Sequence, residues 1–108
     1  MRTAKNLRVV LVTAPNLKSA RALAQGALES QLVACANLIP GIESRYRWKG
    51  KIETSSEVLI LFKTTKPKLT PLEKFVAEQH PYDTPEFLVL QIESGAAEYL
   101  QWVQHCVA

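Results

Sequence analysis

The clearest pattern in the sequence is a set of short apolar segments that predict β-strands. Residues 7–13, LRVVLVT, are apolar on both parities and rich in β-branched side chains, which is typical of a strand covered on both faces. Residues 57–64, EVLILFKT, repeat this pattern, and residues 87–92, FLVLQI, predict a further strand. The first two segments therefore have the composition of interior strands.

Amphipathic segments that predict helices alternate with these strands. Residues 16–30 carry their apolar side chains on one helical stripe, and Asn16 is a suitable N-cap. Residues 67–80 form a second such stripe, which begins between two prolines and ends before a third. A final helix is predicted after Gly95.

The segment from residue 31 to residue 50 is strand-like but interrupted. Pro40-Gly41 indicates an edge strand with a bulge, and Trp48 to Lys51 form a plausible hairpin turn. The resulting order, βαββαβα, matches the split βαβ topology of ferredoxin-like α+β folds with an antiparallel sheet. In that topology the first and third strands are central, which agrees with their continuous apolar character.

This arrangement leaves one face of the sheet without a cover. Two helices cover one face of four strands, yet the central strands carry large aliphatic side chains on both parities. Leaving those side chains in water would forgo roughly 1.5 to 3 kcal/mol each, and such a patch usually marks an interface. The sequence therefore predicts sheet-to-sheet oligomerisation, with the long 36–64 hairpin and its Trp48 tip pairing with a neighbour.

Composition narrows the class of protein. A chain of 108 residues, 47% hydrophobic and 21% charged, predicts one folded domain over residues 1–108. A net charge of +3 is too small for a nucleic-acid footprint. No apolar run is long enough for a membrane span and no secretory signal is recognisable, so we expect no membrane partner, a cytosolic location and reduced thiols.

Few residues have the chemistry of a reactive or metal-binding site. The sequence has no CxxC, HExxH, acidic calcium loop or Gly-rich phosphate loop. Cys35, in VACAN, is either a small buried hydrophobe or a soft metal ligand. His80 follows a predicted helix, where it either binds a metal or complements the helix dipole. His105 and Cys106 have the pattern of solvated helix residues.

Aromatic and charged residues at the ends of elements are the candidates for a binding crevice. The aromatic ones are Tyr46, Trp48, Tyr82 and Trp102. Core packing is the stronger expectation for Trp102, whereas the others are typical of crevice linings. Glu57 and Lys63 begin and end an interior strand, so each either faces an interface or is solvated.

Five separated segments together resemble the CutA divalent-cation tolerance family: TAP after the first strand, LVACANLIPGIESRYRWKGKIE, SSEVLILFKT, HPYDTPEFLVL and YLQWV. The resemblance covers the chain from Val9 to Val103. It implies a ferredoxin-like fold that assembles into tight homotrimers through inter-subunit sheets, with an architecture similar to that of the PII signalling proteins.

The resemblance also implies a set of site residues. The positions that match the family, and that would line or border inter-subunit clefts, are Cys35, Tyr46, Trp48, Glu57, Lys63, His80, Tyr82 and Glu86. Copper-binding bacterial members carry a Cys before TAP and two His before PY, where this chain has Val12, Gln79 and His80. We therefore expect copper or another divalent cation to bind only weakly, with His80 and Cys35 as the metal ligands.

The sequence therefore predicts a non-enzymatic trimer that binds a metal ion or small ligand in its clefts and contributes to metal homeostasis, copper included. The alternative is PII-like small-molecule signalling, or a structural trimer without physiological metal binding. Acylphosphatase chemistry is disfavoured because the loop after the first strand, Thr13 to Asn16, lacks the phosphate-binding Arg. RNA binding is disfavoured because the central strands offer only Phe62 for stacking on bases.

Overall fold

A computed structural model describes all residues, 1–108, as an α+β fold. In chain order the elements are β1 (Arg2–Thr3), β2 (Leu7–Ala14), α1 (Leu17–Glu29), β3 (Cys35–Trp48), β4 (Lys51–Thr65), a 3-10 turn (Lys66–Lys68), α2 (Leu69–Gln79), β5 (Leu88–Gln91), β6 (Ser94–Gly95) and α3 (Ala97–Cys106). None of the helices has the length and apolar character needed to cross a bilayer.

The main sheet has four antiparallel strands in the order β3-β4-β2-β5. The predicted ferredoxin-like topology is confirmed, with β2 and β4 at the centre. The two-residue strands β1 and β6 form a second, small antiparallel pair that the hydrophobic pattern did not predict. Strands this short leave no periodic signal in a sequence.

The hydrophobic core lies between the sheet and the helices α1 and α2. Even-numbered residues of the central strands, such as Val10 and Phe62, point towards the helices and are fully buried. Leu23 of α1 and Leu72 of α2 pack onto them. Asn16 caps α1 as predicted, because its side-chain oxygen accepts a hydrogen bond from the Ser19 backbone N–H at 2.8 Å.

The other face of the sheet, which we call the open face, carries a continuous apolar patch. Directly opposite residues on antiparallel strands point to the same face, so the register places the following side chains together: Val9, Leu11, Ile39, Leu59, Leu61, Leu88 and Leu90. They are half-buried or exposed in the single chain. The uncovered second face predicted from the sequence is therefore present.

Residues 43–56 of strands β3 and β4 continue past the rest of the sheet as a long hairpin, which we call the arm. The register shifts between Ile39 and Ile42, at the predicted Pro40-Gly41 interruption. The arm turns at Lys49 and Gly50, both of which have positive φ angles of 51° and 77°. Two successive positive φ angles give a hairpin turn that matches the twist of its strands.

Helix α3 covers one end of the sheet. Its Leu100 and Val103 form a second small core with Ala34 of the loop before β3 and Leu7 of β2. The expectation that Trp102 lies in the core is wrong, because its side chain is 44% exposed and contacts Tyr99 on the outer side of the helix.

Candidate functional site

A cleft lies where the arm meets the loop that follows α2, at one end of the open face. Its volume is about 530 Å³. The residues that line it come from β2, the arm, β4 and the 82–86 loop: Thr13, Ser44, Arg45, Tyr46, Trp48, Glu57, Tyr82, Asp83, Thr84 and Glu86. Five of the eight site residues inferred from the resemblance therefore line one cleft: Tyr46, Trp48, Glu57, Tyr82 and Glu86.

Glu57 is the least exposed carboxylate of the cleft, with 8% of its surface accessible. The Tyr82 hydroxyl donates a hydrogen bond of 2.7 Å to Glu57 Oε2. Glu57 has odd parity on β4, so its side chain points to the open face rather than into the helix-covered core. The hydrogen bond ties the 82–86 loop to the central sheet.

The electrostatic environment of the cleft is negative. Burial, together with the neighbouring Glu57 carboxylate, raises the pKa of the Tyr82 hydroxyl well above its ordinary value. Burial and Glu57 also raise the pKa of the Glu86 carboxyl. Burial is the larger cause of both shifts, and the smaller contribution of Glu57 disfavours a second negative charge beside it.

His80 borders the cleft, but both of its ring nitrogens are hydrogen-bonded to backbone groups. The ring is 8% exposed, and its Nδ1 accepts a hydrogen bond of 3.0 Å from the Tyr82 backbone N–H. Its Nε2 therefore carries the proton and donates to the Thr13 carbonyl oxygen at 2.7 Å. These two bonds position the Tyr82 ring, 4.7 Å from the imidazole, and leave neither nitrogen with a free lone pair.

The residues present do not form a preformed metal site within one chain. No group of three or more His, Cys, Asp or Glu side chains is placed to hold a metal ion. Structural and catalytic zinc or copper sites need three or four converging ligands. The expected metal ligands His80 and Cys35 are also far apart. Cys35 is level with Val9 of β2 in the sheet, through Lys63, whereas His80 bonds to Thr13 of β2. Thr13 lies four residues further along that strand than Val9, which corresponds to roughly 13 Å.

Cys35 and Lys63 lie together at the opposite end of the open face. They are directly paired across β3 and β4, and the Lys63 ammonium donates a hydrogen bond to the Asn37 side-chain oxygen. The Cys35 sulfur lies 3.7 Å from the Tyr99 hydroxyl of α3. Cys35 and Lys63 are therefore the two inferred site residues that the structure places away from the cleft.

Several residues of the cleft were not anticipated from the sequence. Arg45 and Asp83 line the cleft next to predicted residues, in the segments SRYRW and HPYDTPE. The available signal was that each is the direct neighbour, in the sequence, of a predicted site residue, Tyr46 or Tyr82. Thr13, at the end of an interior strand, gave no signal at all.

Comparison with known proteins gives a family and close structural matches. The family described as CutA1 divalent ion tolerance protein matches residues 8–106. The human Protein CutA is 46% identical over 92% of this chain and 55% of its own length. Protein CutA of Arabidopsis thaliana, described as chloroplastic, is 42% identical over 90% of this chain and 53% of its own length. This chain thus spans about half the length of these curated relatives.

Solved structures agree with the fold. CutA from Synechococcus elongatus superposes with a TM-score of 0.95 at 36% identity, covering 99% of this chain and 95% of the other. CutA from Archaeoglobus fulgidus, described as a periplasmic divalent cation tolerance protein, superposes with a TM-score of 0.92 at 35% identity, covering 94% and 99%.

These descriptions correct the expectation of a cytosolic location. One relative is chloroplastic and another is periplasmic, so similar chains work in different compartments. The composition and the missing apolar run on which the expectation was based do not separate these compartments.

The hydrogen bond between Tyr82 and Glu57 gives a first prediction. Replacing Tyr82→Phe leaves a buried carboxylate without its donor, so we expect the free energy of unfolding to fall by about 1 to 3 kcal/mol. Tyr46→Phe is the matched control, because the Tyr46 hydroxyl only accepts a 3.4 Å bond from the Ser55 hydroxyl at an exposed position. Denaturant unfolding of both variants measures the difference, and equal stabilities would show that the bond is not stabilising.

The state of His80 gives a second prediction, for copper. Because both imidazole nitrogens are hydrogen-bonded, Cu(II) should bind the wild-type protein with a Kd weaker than about 1 µM. The exposed His105 is the matched control. Calorimetry should show the weak binding reduced by His105→Ala more than by His80→Ala. Submicromolar binding that His80→Ala abolishes would mean that the imidazole leaves its backbone partners to bind metal.

Proposed function

This chain belongs to the CutA1 divalent ion tolerance family, and from that premise we propose that it is a non-enzymatic homotrimer that contributes to cellular tolerance of divalent cations, copper included, by binding a metal ion or small ligand in its clefts. The observation that carries the proposal is an open cleft with a buried carboxylate, Glu57, at the rim of an uncovered apolar face.

The open face supports the oligomeric part of the proposal. Leu88 and Leu90 of β5 are 53% and 46% exposed, and they continue a patch that runs across β2 and β4. Both outer strands, β5 and β3, have one unpaired edge. An arm of one chain that pairs with β5 of the next makes a contact between two different surfaces, and such contacts form a ring when the rotation between neighbours closes.

The position of the cleft supports the ligand part. Glu57 and Thr13 point to the same face as Leu59 and Leu11, so a neighbour that covers the apolar patch also borders the cleft. A site formed in this way depends on assembly. Between the two kinds of ligand, the fixed imidazole of His80 favours a polyatomic ligand held by the cleft over a metal ion chelated by one chain.

The oligomeric state can be tested through the centre of the open face. We expect light scattering to give three times the 12.1 kDa chain mass. Leu11→Glu places a charge in the middle of the patch and should shift the mass towards that of one chain, because an unpaired charge is strongly disfavoured in an apolar interface. Leu28→Glu, at a 40% exposed position on α1, is the control and should leave the mass unchanged. A wild-type mass of one chain at micromolar concentration would refute the trimer.

The role in tolerance can be tested by growth in raised copper or zinc. In cells that lack the gene, the wild-type protein should restore growth, whereas Glu57→Gln, which keeps the shape of the side chain and removes its charge, should not. Glu73→Gln, on the exposed side of α2, is the matched control and should restore growth. Full restoration by Glu57→Gln, with normal protein levels, would exclude the cleft from the tolerance function.

A further inference from the structure

The charge of the cleft is opposite to that of the whole chain. The chain carries +3, yet three carboxylates line the cleft, those of Glu57, Asp83 and Glu86. The single cation of the lining, Arg45, forms an exposed ion pair with Glu43, since its Nε donates to Glu43 Oε2 at 2.8 Å, so the carboxylates remain in excess. A local negative field within a positive protein attracts cations to that place.

Glu57 is buried without a cationic partner. Its Oε2 accepts the bond from Tyr82, whereas Oε1 accepts none. No fully buried side-chain oxygen lacks a hydrogen-bond partner, so Oε1 keeps access to the solvent of the cleft. Buried carboxylates are ordinarily paired with a cation or a metal. Oε1 is therefore the atom of this carboxylate that a cation entering the cleft can contact.

The spacing of the carboxylates selects the kind of cation. They are not grouped closely enough to chelate an ion. The cleft, at about 530 Å³, also has the size of a pocket for a small organic molecule rather than for a bare ion. A polyatomic cation can contact carboxylates that are too far apart to share one metal ion.

The aromatic side chains of the cleft point to the same chemistry. Tyr46, Trp48 and Tyr82 line it, and electron-rich rings attract alkylammonium and guanidinium groups through cation–π contacts. The Trp48 ring already accepts one cation of the chain itself, because the Lys49 ammonium lies 5.8 Å from the ring centroid. An aromatic lining would add little to the binding of a hydrated metal ion.

We propose that the cleft binds a small organic cation, an alkylammonium or guanidinium compound, whose charge lies at Glu57 and Glu86 and whose apolar part lies against Tyr46, Trp48 and Tyr82. The proposal rests on the function proposed above, because it names the ligand class for the same cleft. It also argues against an anionic ligand, which the local charge opposes.

A series of three butyl ligands of similar size and different charge tests the proposal on the wild-type protein. The probes are n-butylguanidinium, its neutral isostere n-butylurea and the anion pentanoate, measured by calorimetry on the purified full chain at low salt. We expect butylguanidinium to bind and the other two to bind at least about tenfold more weakly, since only the cation pairs with Glu57. Because wild-type protein is used, the result does not depend on the folding of any variant.

Two carboxyl-to-amide variants locate the bound charge. Glu57→Gln and Glu86→Gln should each weaken butylguanidinium at least about tenfold and leave butylurea unchanged. Glu73→Gln, outside the cleft, should leave both ligands unchanged. Trp48→Leu keeps an apolar side chain but removes the ring, and should weaken the cation more than the urea. Glu86 is exposed, so its variant remains informative if Glu57→Gln does not fold.

Each outcome decides the proposal. Equal binding of cation and urea, binding of pentanoate alone, or no binding of butylguanidinium would overturn it, as would Cu(II) or Zn(II) binding that Glu57→Gln abolishes while butylguanidinium has no effect. If the cation fails to bind but Glu57→Gln still abolishes growth in copper, the ligand class is wrong and the proposed function stands. If the cation binds and growth is unaffected by Glu57→Gln, the ligand class is right and the tolerance role of the cleft is wrong.

Discussion

The constraint on which this structure depends is that β2 and β4 are apolar on both parities while the chain supplies helices for only one face of the sheet. Even positions such as Val10 and Phe62 are fully buried under α1 and α2, and odd positions such as Leu11 and Leu61 remain partly open. A sheet of this kind completes its burial only by association. The incomplete burial of the sheet therefore connects three features: the apolar patch, the unpaired strand edges and the extended arm.

The candidate site follows from the same alternation of side chains. Glu57 is on the open-face parity of β4, two residues before Leu59, so the strand that carries the patch also carries the carboxylate. The Tyr82 hydroxyl and the imidazole of His80 then attach the 82–86 loop to that strand and to β2. Of the three carboxylates that line the cleft, Glu57 is thus held by the centre of the sheet, whereas Asp83 and Glu86 lie on the attached loop. A carboxylate held in this way favours a preorganised site.

The elements with a periodic signal could be predicted from the sequence. The features that depend on contacts between distant parts of the chain could not. The interior strands, the Asn16 cap and the Pro40-Gly41 bulge each have local chemical causes, and the structure contains all of them. The two-residue pair β1 and β6 has no periodicity, and the exposure of Trp102 depends on how α3 rotates against the sheet end. Neither property is encoded within a short window of sequence.

The candidate site, like the fold, could be predicted only in part from the sequence. That Tyr82, Glu57 and Trp48 share one cleft was inferred from a resemblance, whereas the state of His80 required coordinates, because its two partners are backbone groups of Thr13 and Tyr82 that any residue type would offer. The thiol of Cys35 lies at the other end of the open face, beside Tyr99. The ligands that soft metals prefer are thus separated from the carboxylates. In the proposed function, selection in the cleft rests on charge and shape rather than on coordination. A link to divalent cations that acts through this cleft then does not require a metal ion to be its occupant.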